Sequence, residues 1–253
     1  MIAETKIQTF ADMKISDVQI VHGARGFPIW NPAAQGHTKP TGMFMSRKCG
    51  RAMPWVSFHE LHLMWISECD TAVGHFISQP LRLELYVRHR AKPIEYFPDI
   101  ERSLDGGVIE VIEVKKTEEE VDRDPYYAFK IEKAKEAFRA AEIRFRILTA
   151  EDHIGVEPRL GNAKTIMLDR FTGLETVDTI RLGEALGRAR GTIAYGKAIE
   201  ALSSRGDPRD ADARAKLHAA IVDRSASIDL SRRITLDSPV TEVKSVRRQQ
   251  RAA

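Results

Sequence analysis

Two carboxylates and one amine stand close together in the stretch Ile94–Lys116, IEYFPDIERSLDGGVIEVIEVKK. Asp99 follows Pro98, and Glu113 and Lys115 lie two residues apart in an otherwise apolar run. Alternate residues of a strand share a face. Ile109, Val111, Glu113 and Lys115 therefore point one way, and Val108, Ile112 and Val114 the other. The Gly106-Gly107 pair suits a tight hairpin connection, which would fold this strand against the one carrying Asp99. Asp99, Glu113 and Lys115 would then converge. Such carboxylates can hold a hard divalent cation, with the Lys115 ammonium beside an attacking water, and the chemistry is metal-assisted hydrolysis.

Pro98-Asp99 followed by Glu113-x-Lys115 is the PD-(D/E)xK pattern of metal-dependent nucleases. The competing reading is a surface hairpin with solvated charges. That hairpin would have one polar face throughout, yet both faces here are largely apolar. Ionic groups in such a strand are costly unless paired or metal-bound. A third carboxylate comes from upstream. Pro54–Glu68 reads as a helix, with Phe58, Leu61, Met64 and Trp65 at helical spacing. Glu60 sits at the edge of its apolar face, as a third metal ligand or as a carboxylate reaching to water. His59 and His62 flank it and read as boundary residues, because the other candidates are hard oxygen donors.

The elements around these residues alternate in kind. Gly74–Pro80, Leu81–His89, the segment ending at Asp99, the Glu113–Lys115 segment and Ile143–Thr149 read as strands. Leu81, Leu83, Leu85 and Val87 share one face of the second. Asp122–Glu142 reads as a helix with Ile131, Ala134, Phe138 and Ala141 as its buried stripe. The order predicts an α/β fold, a mixed sheet flanked by helices. Residues 1–54 read as a loop-rich extension, in which Arg25, Lys39, Arg47, Lys48 and Arg51 touch phosphates or simply face solvent. Residues 55–150 form the core. Residues 151–253 form a smaller, mainly helical part, with helices at Leu174–Arg190, Thr192–Leu202 and Ala211–Val222. The run ASIDLSRRITLDSPV then reads as a two-stranded wing, followed by a basic tail. Three helices and a wing suggest a winged-helix-like domain that docks on DNA or, alternatively, a protein-interaction domain.

The 253 residues are 43% hydrophobic, ample for a core, and the formal net charge of +3 demands no nucleic-acid partner by itself. No apolar run of membrane-spanning length occurs, and the N-terminus lacks the apolar core of a secretory signal. Cys49 and Cys69 fit neither a disulfide framework nor a zinc site, so a reducing, cytoplasmic setting is expected.

Phe58–Pro80, FHELHLMWISECDTAVGHFISQP, resembles the TnsA-type endonucleases. The likeness rests on Glu60 near a helix start, Glu68-Cys69-Asp70, and an apolar strand ending in Gln79-Pro80. Downstream it continues with Tyr96-Phe97-Pro98-Asp99, Glu113-Val114-Lys115 and, more weakly, the segment around Ile228–Leu230 and Thr235–Val240. The resemblance implies a restriction-endonuclease-like fold. It places Glu60, Asp99, Glu113 and Lys115 in catalytic positions, the three carboxylates as ligands of Mg²⁺ or Mn²⁺, and Gln79 as a secondary candidate. It further implies a subunit of a heteromeric transposase that hydrolyses phosphodiesters at the 5′ ends of a transposon. The expected partners are DNA, an integrase-like transposase subunit and an ATPase regulator. Two alternatives stand beside it: a stand-alone nuclease of DNA repair or anti-phage defence, and a non-enzymatic accessory subunit that binds DNA or the ATPase.

Overall fold

The computed structural model describes residues 13–24, 27–30 and 40–243. Arg25, Lys39 and the basic tail from Lys244 onward lie outside them. The described chain is mixed α/β. It divides into two compact units, one drawn from residues up to Met45, Ala52–Leu63 and His75–Gly155, the other from Ser46–Arg51, Met64–Gly74 and Val156 onward.

Alternation builds the first sheet of the first unit. Strand β5 (Leu81–Val87) lies between β1 (Ile15–His22) and β6 (Ile94–Tyr96), antiparallel to both. Leu81, Leu83 and Leu85 are wholly buried, as their spacing predicts. Strand β1 is a correction. Residues 1–54 read as loop, yet they supply β1, β2 (Gly42–Ser46) and β3 (Arg51–Trp55). Proline and glycine dominate the segments between these strands and hide the short alternating runs.

A second sheet carries the candidate chemistry. Its order is β4 (Val73–Ser78), β7 (Ile100–Leu104), β8 (Ile109–Lys115) and β9 (Arg144–Thr149). Strands β7 and β8 form a hairpin across the expected glycine turn, Ile100 opposite Ile112 and Ser103 opposite Ile109. The partner strand, however, starts just after Asp99 instead of ending there, and β6 upstream pairs with β5 in the other sheet. Gly106 and Gly107 turn it with φ of 83° and 82°, a region open to glycine at little cost. Strand β9 returns parallel to β8, through helix α2 (Pro125–Ala140). Asp124 caps that helix by accepting from Tyr126 N, and Pro125 starts it, where its missing N–H costs nothing. Ile131, Ala134 and Phe138 are buried on the sheet with Val111. Ala141, expected in that stripe, is the exposed C-cap.

In the second unit the expected helix at Thr192–Leu202 is strand β10 (Thr192–Ala194) followed by α5 (Tyr195–Leu202). Helix α5 packs against α4 (Thr176–Arg188) and α6 (Ala211–Val222), and α6 also meets α3 (Arg159–Leu168). The wing segment supplies β11 (Ala226–Ile228) and β12 (Pro239–Glu242), and β12 pairs with both β10 and β11. Arg47 and Lys48 are corrections of another kind. Arg47 pairs with Asp223 and donates to the carbonyls of Arg170 and Thr172. Lys48 Nζ donates to the carbonyls of Ser67, Asp70 and Val73 at 2.7–2.9 Å. Burial pushes its pKa down to about 8, against the pull of Glu68 and Asp70. Both side chains are committed within the protein. Among the described residues no helix is long and apolar enough to cross a membrane.

Candidate active site

Helix α1 (Phe58–Cys69) supplies Glu60, and a local motif fixes it. Ser57-Phe58-His59-Glu60 has the S-x-x-E spacing of a capping box. Ser57 Oγ accepts from Glu60 N at 3.1 Å and donates to Glu60 Oε1 at 3.0 Å, while Val56 N donates to Oε2 at 3.1 Å. The carboxylate therefore bends back over the helix start rather than reaching to water, and Glu60 is only 4% exposed.

Asp99 stands just before β7. Its main chain is tied into the sheet: Asp99 N donates to Ile112 O, and Asp99 O accepts from Gln79 N at 2.8 Å. Its side chain takes over where the ladder stops, Oδ2 accepting from Val114 N at 2.7 Å. Gln79 holds Asp99 through the backbone. It is 2% exposed, at a φ of 47° before Pro80.

Glu113 and Lys115 share a face of β8, and Lys115 Nζ lies 2.7 Å from Glu113 Oε1. Two tyrosines complete the grip. Tyr96 OH donates to Glu113 Oε2 at 2.5 Å, and Tyr127 OH donates to Oε1. Lys115 Nζ also sits 4.4 Å from the centre of the Tyr127 ring, a cation–π contact. Nothing in the spacing of Tyr96 or Tyr127 announces these bonds. Glu110, also on β8, points to the opposite face from Glu113, 1% exposed, and pairs with Arg102.

Glu60, Asp99, Val114, Lys115, Lys116 and Glu120 line one open cleft of about 640 Å³. His59 lines it too. Glu113 lies beneath, 3% exposed. The electrostatics are those of crowded acids. Burial raises the Glu60 pKa to about 7, helped by Glu113 and opposed by Val56 N, Ser57 and Lys115. Burial, then Glu113 and Glu60, push Asp99 well above the usual carboxylate range. Burial alone would lower Lys115, but Glu113 and Asp99 outweigh it and raise the pKa. Lys115 is thus a cation at neutral pH, while burial, with crowding second, favours the protonated forms of Glu60 and Asp99.

The donor set fits a hard divalent cation: carboxylate oxygens whose mutual repulsion a cation would relieve. The arrangement stops short of a closed cage. Among the described residues no three His, Cys, Asp or Glu side chains are gathered as a ligand set, and both oxygens of Glu113 already accept bonds. In comparisons with known proteins, no protein-family model and no curated sequence matches this chain.

Proposed function

We propose that this chain is a metal-dependent DNA endonuclease with a restriction-endonuclease-like core, acting as the TnsA-type subunit of a heteromeric transposase. The observation that supports it most is the meeting of Glu60, Asp99 and Lys115 in one open cleft over Glu113. Asp99 and Glu113, with Glu60, would hold Mg²⁺ or Mn²⁺, which when bound neutralises phosphate charge and acidifies water. The chain's own residues do the rest. Lys115, held cationic by Glu113, places a fixed positive charge where negative charge builds on the phosphoryl oxygens. Its raised pKa argues for that electrostatic role rather than for a general base. Val114 N and Gln79 N fix the Asp99 carboxylate and backbone. Tyr96 and Tyr127 orient Glu113.

The helices α4 to α6 with the β10-β12-β11 sheet support a winged-helix-like reading of the second unit. Helix α6 is its buried spine, with Leu217–Val222 all buried. DNA contact would therefore fall to exposed arginines such as Arg232 and Arg233 in the loop after β11, and should weaken with salt.

One observation favours a second reading. The occupied oxygens of Glu113 also suit a buried ion-pair network in an accessory DNA- or ATPase-binding subunit. Asp99→Asn separates the two, because its amide oxygen still accepts from Val114 N. Wild type should melt higher in millimolar Mg²⁺ or Mn²⁺, and should nick transposon-end DNA when an integrase-like partner is present. The variant should do neither. A wild type whose melting ignores both ions, with a variant that nicks normally, would remove the nuclease reading.

A further inference from the structure

The same cleft presents aromatic rings beside its charges. Phe58 and Trp30 line it with Glu60, Asp99 and Lys115. Phe58 is 54% exposed at the first position of α1. A lone exposed phenylalanine needs no explanation, but this one is seated. Its ring packs on Trp55, centroids 5.6 Å apart and planes 31° apart. The Trp55 indole in turn lies against Gly42, where any Cβ would come within 2.5 Å of the indole ring. Trp30 is backed in the same manner by Phe97, centroids 6.1 Å apart. Two braced aromatic pairs therefore contribute rings to the cleft that holds the carboxylates and Lys115.

We infer that Phe58, supported by Trp55 and Gly42, is a stacking platform for an unpaired nucleobase next to the phosphate that the cleft receives. The inference rests on the DNA reading above and adds a substrate class to it. A phosphate needs only the cations. A flat, braced, solvent-facing ring suits a π-face, and base–aromatic stacking is tolerant of sequence. Bases inside a duplex have both faces covered by their neighbours. The preferred ligand is therefore DNA that is single-stranded, frayed or gapped beside the cleft, rather than a blunt duplex.

The test uses the full chain in EDTA, so that no cutting intervenes, with oligonucleotides carrying 2-aminopurine. Wild type should bind a single strand or a forked end and change the 2-aminopurine emission as the base stacks. Phe58→Ala should weaken that binding about tenfold, within the range for losing one stacked base, and abolish the emission change. Affinity for the same blunt duplex should fall by less than about twofold. Phe58→Trp should restore single-strand binding, and Gly42→Ala, which displaces Trp55, should weaken it. Melting curves identify any variant that has lost its fold, and Phe58→Trp then carries the comparison. Equal losses on duplex and single strand, or an emission change that survives Phe58→Ala, would overturn the platform. Stacking that depends on Phe58 in a protein that never cuts DNA would uphold it while removing the nuclease reading.

Discussion

Replacing Glu60 by glutamine should stabilise the protein when no metal is present, and the gain should depend on pH. Glu60 is buried, and its pKa rises from an ordinary 4.5 to about 7. The folded chain therefore holds a proton that the unfolded chain releases. The cost of the charge is full above pH 7, shrinks as pH falls toward 4.5, and vanishes below it. At about 1.4 kcal/mol per pKa unit, the full cost is about 3 kcal/mol, and at pH 5 about 1 kcal/mol remains. Glutamine avoids the charge and keeps the cap. Its carbonyl accepts from Val56 N where Oε2 does now, and its amide donates to Ser57 Oγ in place of the bond to Oε1. In thermal melts Glu60→Gln should lead wild type by roughly 6–12 °C at pH 8 and roughly 2–4 °C at pH 5, for a chain of this size. Mg²⁺ at a hundred times its Kd would add about 2.7 kcal/mol to wild type alone, and the lead should nearly disappear. A variant that is equally destabilised at pH 8 and pH 5 would refute the reasoning and leave Glu60 as a helix cap.

Lys115→Ala should leave metal-induced stabilisation in place, because ammonium is not a ligand, while nicking falls about 10²-fold or more, the scale for one electrostatic stabiliser; a loss under threefold would dismiss its role. Lys48→Met should lower stability by at least about 3 kcal/mol, since three carbonyls lose a charged donor. Its DNA affinity, read by anisotropy on folded protein, should match wild type, and a selective loss of binding would return Lys48 to the phosphate contacts.

The hairpin was legible because its signals are local. Alternation put Glu113 and Lys115 on one face, and two glycines marked the turn. The sequence also carried the Ser57-x-x-Glu60 cap, a motif that explains Glu60 better than its place on the apolar face does. What stayed hidden depends on distant pairing. Strand β1 finds its partner some 65 residues on, Ile20 opposite Leu83. Tyr127 reaches Glu113 only because α2 lies on the sheet. Lys48 looks like a surface cation until the carbonyls around Ser67 and Asp70 are brought to it. Asp99 shows both sides. Its type and its proline were readable, but its bond to Val114 N was not, and that bond means Asp99→Ala would orphan an amide as well as relieve repulsion. The same long-range packing divides the chain where composition does not. Ser46–Arg51 and Met64–Gly74 cluster with the residues after Val156, so a fragment ending near Glu151 would leave Arg47 without Asp223 and the Cys69 thiol without the carbonyl of Ala163.

Glu113 and Lys115 lie on β8, Asp99 immediately precedes its partner β7, and the Asp99–Val114 bond clamps them to a common register. Their spacing follows from the rise of a strand and is insensitive to what happens elsewhere in the chain. Glu60 comes from a separate element, held by its own cap to Ser57 and Val56. The cleft is thus built from two separately anchored parts, one in the sheet and one on the helix. Of the three carboxylates proposed to hold the metal, control that leaves the sheet untouched has one to act on, and it is Glu60.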